Sequence, residues 1–388
     1  MKRVLIYSHD TYGLGHLRRS LLIAERLAES SPPVNVLIAT GSPRAQAFEL
    51  PKGVGTLQLP AVLKQADGTY RSRDLDIPIR RLLNMRSQLI LSAWRDFRPD
   101  LVFVDHAPIG VGGELRPLLD ALKQRSGDQR LVLGMRDIID EADSVRRSWQ
   151  RDGVMDRLRE DYDRVVVYGC SRFLTTAQEL GLSELKDGLG EPKVRHVGYL
   201  ARRMPRVRPS GRLLVMAGGG GDGHRLLRSV LTTLEGRSAP LPFGVDVVTG
   251  PFLSDRRRQE IKERCDALSG DVEFVAFDPC MERRIAAAKG VISMAGYNSV
   301  VEILAARVPA LLVPREKPRQ EQLLRARRLA PLSGLDWCRQ RDLGPQVIEG
   351  FFQRMEGSRP EGQLCLNGLR RTRDELMALM ELELRRRA

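Results

Sequence analysis

The sequence has few cysteines, histidines and aromatic residues. Its five cysteines include no C-x-x-C pair and its five histidines show no H-E-x-x-H spacing, so we expect neither a disulfide framework nor a metal site. No apolar run approaches the roughly 20 residues of a transmembrane helix, and the first residues are too short an apolar stretch for a secretory signal. We therefore expect a soluble cytoplasmic protein without a metal or other cofactor.

The composition is that of a folded, strongly basic chain. Of the 388 residues, 42% are hydrophobic and 29% are charged, which is enough apolar material for two domains. The 63 Lys and Arg against 49 Asp and Glu give a net charge of +14, and the excess is nearly all arginine, which suits phosphate and carboxylate ligands. A nucleic-acid-binding module is an alternative. It is disfavoured because the charge is spread along the chain, aromatic residues make up only 5%, and no nucleic-acid motif is present.

Short apolar runs alternate with amphipathic stretches, which predicts parallel α/β units. In the first half, strands are predicted over Val4–Tyr7, Val34–Ala39, Thr56–Leu59, Leu101–Val104, Arg130–Met135, Val165–Tyr168 and Val194–Val197, and helices over Leu17–Glu29, Ile79–Phe97, Gly113–Gln124 and Arg172–Leu180. In the second half, strands are predicted over Leu213–Met216, Val245–Val248, Val272–Ala276, Gly290–Ser293 and Ala310–Val313, and helices over Arg225–Leu234, Arg256–Leu268, Met281–Ala288, Ser299–Ala306, Gln320–Leu329 and Asp374–Arg387.

The alternation is interrupted once, at residues 202–211. This segment holds two prolines and four arginines without an apolar period, which is typical of an interdomain linker. We therefore predict an α/β protein with two doubly wound, Rossmann-like domains, one over residues 1–201 and one over residues 212–388. The last helix is a candidate to pack back on the first domain.

Each half opens with a strand, a glycine-rich turn and a helix. The first turn contains Gly13-Leu14-Gly15-His16 and the second contains Gly218-Gly219-Gly220-Gly221. Such turns let backbone N–H groups and a helix N-terminus approach an anion. Neither turn is a G-x-x-x-x-G-K-[ST] phosphate loop or a full G-x-G-x-x-G fingerprint, so kinases and dehydrogenases are disfavoured. Tight turns without any ligand remain the alternative.

Two residues near the first turn are candidates for acid–base chemistry. His16 falls in the first turn of a helix at the carboxyl edge of the sheet, where open α/β proteins bind ligands, and a helix N-terminus favours a neutral imidazole base. Asp105 ends a neighbouring strand and could orient His16 or act as the base itself. An ordinary capping histidine and a strand-end aspartate are the alternatives.

From Val291 to Ala326 the second half resembles nucleotide-sugar glycosyltransferases of the GT-B fold, in the MurG-like branch. The motif is VISMAGYNSVVEIL, followed by RVPALLVP and then RQEQLLRA, and the likeness covers residues 213–330. The resemblance implies two domains facing across a cleft and a nucleotide-sugar donor, with uracil as the expected base. It also implies a metal-independent transfer to a hydroxyl group, with inversion.

The resemblance further implies roles for individual residues. Glu302 would bind the donor ribose, and Glu321 and Gln322 would bind the transferred sugar. The pyrophosphate would lie on the glycine turns, the base on the loop after Val272–Ala276, and Arg202 on the diphosphate. The remaining donor-binding candidates are Gly15, Gly218, Gly219, Gly220, Gly221, Phe277, Asp278, Gly296, Asn298 and Ser299.

The first half matches that branch less well, because Arg18 and Arg19 follow His16 in place of its apolar and proline residues. The G-x-G-H-x-x-R motif also resembles the nucleotide-sugar hydrolase of pseudaminic acid synthesis. A hydrolase or an epimerase therefore stays an alternative to a transferase. The resemblance also raises a lipid-linked acceptor and peripheral docking at the anionic inner face of the membrane, with arginines of the segment Ile79–Arg86 beside apolar residues. A core helix with a solvated basic face is the alternative for that segment.

Overall fold

The computed structural model describes residues 1–10, 14–65, 69–124, 129–171, 176–219, 221–317, 319–355 and 364–387, with the side chains of Leu332 and residues 382–387 outside that description. The chain divides into two compact units, Met1–Leu200 with Asn367–Ala388 and Ala201–Leu366. The predicted second domain ran to residue 388, whereas the compact unit ends at Leu366. Residues 202–211, all of them described, form neither helix nor strand.

The N-terminal unit alternates strands with helices. Its strands are β1 (Arg3–Ser8), β2 (Asn35–Thr40), β3 (Val54–Gln58), β4 (Val62–Lys64), β5 (Tyr70–Ser72), β6 (Leu101–Asp105), β7 (Arg130–Arg136), β8 (Arg164–Tyr168) and β9 (Val194–His196). Its helices up to β9 are α1 (Gly15–Ala28), α2 (Ile79–Phe97), α3 (Arg116–Gln124), α4 (Ala142–Arg151), α5 (Val154–Glu160) and α6 (Thr176–Glu179).

Seven of these strands form one parallel sheet in the order β3-β2-β1-β6-β7-β8-β9, and β4 and β5 form a separate antiparallel pair. Strands β6 (LVFVD) and β8 (RVVVY) are rich in valine and are buried throughout, as expected when helices cover both faces of a sheet. In α2, Leu82, Ile90 and Trp94 are buried at helical spacing. The order of strands places the carboxyl ends of β1 and β6 side by side.

The C-terminal unit repeats the pattern. Its strands are β10 (Leu213–Met216), β11 (Val245–Val248), β12 (Val272–Val275), β13 (Gly290–Ser293), β14 (Ala310–Leu312) and β15 (Asp336–Trp337). Its helices are α7 (His224–Glu235), α8 (Asp255–Ala267), α9 (Met281–Ala287), α10 (Tyr297–Ala306), α11 (Glu321–Ser333) and α12 (Pro345–Arg354), and the chain continues into α13 (Gly368–Arg387). The strands form a six-stranded parallel sheet in the order β12-β11-β10-β13-β14-β15.

Helix α13 returns to the N-terminal unit, where it packs on α1. Its first residue, Gly368, donates its N–H to Tyr199 O at 3.0 Å. A Cβ atom at Gly368 would lie 2.5 Å from both Gly198 O and Tyr199 O, so only glycine permits this close backbone approach. The end of the chain therefore supports the helix that carries His16.

Several predicted elements differ from the observed ones. The helix predicted from Gly113 begins at Arg116, because Gly112 and Gly113 have positive φ angles of 56° and 85°. The helix predicted over Arg172–Leu180 is observed as Thr176–Glu179, and residues 172–175 lie outside the described residues. The sequence analysis did not predict β4, β5, α4, α5, β15 or α12.

Candidate functional site

The first group of site residues lies at the carboxyl edge of the N-terminal sheet. His9 and Asp10 directly follow β1, Asp105 is the last residue of β6, and His106 comes next. Since β1 and β6 are parallel neighbours, their ends meet at this edge. Helix α1 begins there and brings His16 in its first turn. The two predicted catalytic residues, His16 and Asp105, are therefore brought together; Gly13 of the same turn lies outside the described residues.

His16 and Asp105 form a short contact within a buried ionic group. His16 Nδ1 lies 2.5 Å from Asp105 Oδ2, and the Asp105 carboxylate, 1% exposed, also accepts hydrogen bonds from Arg19 Nη2 at 3.1 and 3.3 Å. Arg19 Nη2 also approaches His16 Nδ1 at 2.8 Å. When Nδ1–H is donated to Asp105, that last distance is a close approach and not a second hydrogen bond. This tautomer leaves the lone pair on His16 Nε2 to accept a proton.

The environment of Asp105 sets its charge. Burial raises the pKa of the Asp105 carboxyl, while the charge and hydrogen bonds of Arg19 act in the opposite direction. Arg19 is itself buried, at 2% exposure. Arg19 was noted from the sequence only as the arginine of the G-x-G-H-x-x-R motif and was assigned no role, although it lies three residues after His16 and hence on the same face of α1.

Two further histidines surround His16. The ring centroids of His9, His16 and His106 lie 5.0 to 5.4 Å apart in all three pairs. His106 has a φ of 72°, a conformation that costs a non-glycine residue energy and that is common at functional sites. Its N–H donates to Gly134 O on β7 at 2.8 Å. The sequence analysis did not single out either residue, although each follows a strand at the ligand-binding edge.

Asp10 ties the start of α1 to the sheet. Its carboxylate accepts the Leu17 N–H at 3.1 Å and the Thr40 hydroxyl at 2.5 Å. Burial raises the pKa of Asp10 to about 6; the hydrogen bond from Thr40 acts in the opposite direction, and the nearby Asp105 charge acts in the same direction as burial. Because Asp10 holds the helix that carries His16, its charge bears on the geometry of the site.

We predict that this buried carboxylate lowers the stability of the N-terminal unit at neutral pH. Since the pKa of Asp10 is about 6 folded and 3.8 in its ordinary state, the folded form holds a proton between these values that the unfolded form has lost, so stability falls as the pH rises through this window. From about pH 4 to about pH 7, wild type should lose about 2.4 kcal/mol relative to Asp10→Asn.

The measurement is urea unfolding of both proteins, followed by the fluorescence of Trp94 and Trp149 in a Trp337→Phe background. Both reporting tryptophans lie in the N-terminal unit and Trp337 lies in the other. A difference between the two proteins that is the same at both pH values would contradict the prediction.

The second group of site residues lies at the carboxyl edge of the C-terminal sheet. The glycine turn joins β10 to α7, and Gly218 has a φ of 62°; Gly220 lies outside the described residues. A Cβ atom at Gly218 would lie 3.8 Å from Ser299 Oγ in the first turn of α10. The structure therefore brings the glycine turn next to the Gly296–Ser299 turn, both of which the resemblance assigns to the pyrophosphate.

The loop after β11 packs against the backbone of the glycine turn. Gly250 has a φ of 84°, and a Cβ atom there would lie 2.4 Å from Gly218 O and 2.9 Å from the carbonyl carbon of Gly219. Phe252 donates its N–H to Gly219 O at 3.0 Å. Gly250 was not singled out from the sequence, although a glycine two residues after a buried strand is a signal for such a close approach.

The two acids that the resemblance assigns to the donor are both buried. Glu302 lies on α10 and Glu321 is the first residue of α11. Gln322 follows Glu321, and its side-chain oxygen accepts the N–H of Arg315 at 3.2 Å. A carboxylate buried at a helix start can accept hydroxyl groups without competing water.

Two further predicted donor residues, Arg202 and Asp278, are paired with protein groups in this structure. Arg202 pairs with Glu282 of α9 at 2.9 Å. Asp278 accepts hydrogen bonds from Arg284 Nε at 2.7 Å and from Cys280 N–H at 2.8 Å, and Phe277 beside it is half-buried. A ligand of Arg202 would have to compete with Glu282.

The described residues contain neither a metal cluster nor a membrane-spanning helix. They contain no group of three or more His, Cys, Asp or Glu residues arranged to hold a metal ion. Among the helices within those residues, none is both long enough and apolar enough to cross a membrane.

Comparison with known proteins finds a family match in the C-terminal unit. Residues 219–354 match the glycosyltransferase family 28 C-terminal domain. A 148-residue stretch is 30% identical to the UDP-N-acetylglucosamine–N-acetylmuramyl-(pentapeptide) pyrophosphoryl-undecaprenol N-acetylglucosamine transferase of Mannheimia succiniciproducens. It covers 38% of this chain and spans 41% of the length of that relative.

Solved structures extend the likeness to the whole chain. Acinetobacter baumannii MurG aligns with a TM-score of 0.56 at 13% identity, over 97% of this chain and 100% of that one. The UDP-GlcNAc 2-epimerase of Methanocaldococcus jannaschii aligns with a TM-score of 0.58 at 12% identity, over 97% and 100%. These alignments, with the two parallel sheets, confirm the predicted fold class. The chain therefore has the GT-B fold, and its residues 219–354 match a glycosyltransferase family 28 C-terminal domain, which agrees with the MurG-like resemblance of its motifs.

Proposed function

We propose that this chain transfers a sugar from a nucleotide-sugar donor, UDP-linked, to a hydroxyl acceptor. The observation that carries the proposal is the His16–Asp105 pair at 2.5 Å in a chain whose other unit contains a family 28 domain. A general base and a set of donor-binding turns are the two components that displacement at an anomeric carbon needs.

For the donor we propose the roles that the resemblance implies. The pyrophosphate would be bound by the glycine turn after β10 and the start of α10, through Gly218, Gly219, Gly220, Gly221, Gly296, Asn298 and Ser299. Gly15, the first residue of α1, is a further proposed donor-binding residue. Glu302 would bind the ribose, Glu321 and Gln322 the sugar, Phe277 and Asp278 the base, and Arg202 the diphosphate. The adjacency of Gly218 and Ser299 supports the first of these roles, since two helix N-termini then act on one anion.

The proposed reaction is a single displacement. His16 Nε2 takes the proton of the acceptor hydroxyl while that oxygen attacks the anomeric carbon, and the bond from this carbon to the diphosphate oxygen breaks. The nucleoside diphosphate leaves with the electron pair, and backbone N–H groups and helix dipoles stabilise its charge, so no metal is required. Attack opposite the leaving group inverts the configuration. Asp105, held by Arg19, stabilises the imidazolium that forms.

The named relative uses a lipid-linked acceptor, and we propose an acceptor of that kind here. On α2, Arg80, Arg81, Met85 and Leu89 are exposed, so this face can dock on the anionic inner surface of a membrane. Arg86 of the same segment is buried and cannot take part. Equal cosedimentation of the protein with neutral and anionic vesicles would remove this part of the proposal.

The test of the activity is a thermal-shift screen with UDP-, dTDP-, GDP- and ADP-sugars. A ligand at 100 times its dissociation constant should add about 2.7 kcal/mol of stability. The stabilising donor is then incubated with the protein alone. Stoichiometric release of free sugar would identify a hydrolase, and conversion to an isomeric nucleotide sugar would identify an epimerase, the activity named for one structural neighbour. If no nucleotide sugar raises the melting temperature, the proposal is wrong.

A further inference from the structure

Arg315 lies in the loop between β14 and α11 and connects three parts of the C-terminal unit. Its Nη1 donates to Asp222 Oδ2 at 2.6 Å and its Nη2 donates to Glu321 Oε1 at 2.5 Å. Its backbone N–H donates to the side-chain oxygen of Gln322 at 3.2 Å. The Arg315 side chain is 16% exposed, and its contact with the buried Glu321 carboxylate is largely shielded from water.

The partners of Arg315 belong to two separate loops. Asp222 ends the glycine turn after β10, two residues before α7 begins, and Glu321 and Gln322 open α11 after β14. In the sheet, β13 lies between β10 and β14, so these two loops follow strands that are not hydrogen-bonded to each other. The planar guanidinium of Arg315 binds a carboxylate on each loop, Asp222 on one and Glu321 on the other. Because its N–H groups point in fixed directions, it sets both the distance between the two carboxylates and their orientation.

The contact with Glu321 carries the greater consequence. The Glu321 side chain is 4% exposed, whereas that of Asp222 is 33% exposed. A buried carboxylate that loses its cation must take up a proton or turn toward water. Asp222, at the surface, can be solvated instead. Removing the guanidinium therefore disturbs the start of α11 more than it disturbs the glycine turn.

We propose that Arg315 is a positioning residue that holds Glu321 and Gln322 in register with the glycine turn, so that the sugar and the pyrophosphate of one donor are bound together. This inference rests on the proposed function. It implies that Arg315 acts on the sugar-binding part of the site and not on the fold as a whole.

The experiment measures dissociation constants by calorimetry for the nucleotide sugar from the screen and for its nucleoside diphosphate. We expect Arg315→Met to weaken nucleotide-sugar binding about tenfold or more, since small misplacements of binding groups cost up to two orders of magnitude. Binding of the nucleoside diphosphate, which lacks the sugar, should change by less than about threefold. In kinetics, KM for the donor should rise. Arg315→Lys keeps the positive charge but not the two-pronged geometry of the guanidinium, so its nucleotide-sugar affinity should lie between those of wild type and Arg315→Met. It replaces Arg315→Met as the test if that variant does not fold.

Arg264→Met is the matched control. Arg264 also links two elements of the same unit, through Glu235 at the end of α7, and its side chain is 20% exposed. It should leave both dissociation constants unchanged. Equal weakening of both ligands by Arg315→Met, or no weakening of either, overturns the inference while the proposed function stands. If wild type binds the nucleoside diphosphate but no nucleotide sugar, the proposed function fails and the inference fails with it.

Discussion

Replacing His16 with alanine is expected to lower the turnover number of sugar transfer by about 10²- to 10⁴-fold, the usual contribution of a general base. The imidazole lies 2.5 Å from a buried aspartate that fixes its tautomer, and its Nε2 is left to take the acceptor proton. Donor affinity should stay close to that of wild type, because every proposed donor-binding residue except Gly15 lies in the other unit, and the change removes only the His16 side chain. The measurements are kcat with saturating donor and the dissociation constant of the donor.

Two further variants test the role of Asp105 and the specificity of the His16 effect. Asp105→Asn should also lower kcat strongly, because an amide can hold Nδ1 in the wrong tautomer, and the pH profile should shift. His196→Gln is the control, since His196 lies on β9 at the far end of the sheet order from β1 and β6. If His16→Ala retains the wild-type kcat, His16 has no part in the chemistry.

The strands were the part of the fold that could be predicted best. Three strands are observed with their predicted bounds, namely Leu213–Met216, Val245–Val248 and Gly290–Ser293. They were predictable because strands buried on both faces are mainly continuous apolar runs. The polar helix α4 was missed, since it buries only Val145 and Trp149 in ten residues. Helix α12 was also missed, although Pro345 at its start was a usable signal.

The site could be predicted only in part. His16 and Asp105 were found because the carboxyl ends of parallel strands meet at one edge. Arg19 and Arg315 were given no role, because Arg19 binds Asp105, 86 residues away in sequence, and Arg315 joins Glu321 to Asp222, which lies 93 residues away. No periodic pattern relates residues so far apart. The roles of the donor-binding residues remain predictions.

A second large effect is expected at a buried ion pair beside the N-terminal site. Arg86 of α2 donates to both oxygens of Glu114, at 2.6 and 2.7 Å, and to Pro60 O at 2.7 Å. Tyr7 of β1 donates its hydroxyl to Glu114 at 2.6 Å. Both charged side chains are fully buried. Burial, and next the Glu114 charge, raise the pKa of Tyr7 well above its ordinary value, so the tyrosine stays a donor.

Breaking this pair on one side should destabilise the N-terminal unit severely. Glu114→Gln leaves the Arg86 guanidinium without its counter-charge, and Arg86→Met leaves the Glu114 carboxylate without its own; each change should cost about 3–5 kcal/mol of unfolding free energy. The double variant Arg86→Met/Glu114→Gln removes both charges, so it should be more stable than the sum of the single changes implies.

The measurement is urea unfolding followed by Trp94 and Trp149 in the Trp337→Phe background, analysed as a double-mutant cycle. Glu160→Gln, which breaks the exposed pair with Lys123, is the control and should change stability little. The two pairs should differ because of desolvation. An exposed charge that loses its partner is hydrated by solvent, whereas the Arg86 and Glu114 side chains are fully buried and cannot be hydrated in place. Additive effects of the two single variants would show that the pair contributes no coupling, and that α2 is held to β1 by its apolar face alone.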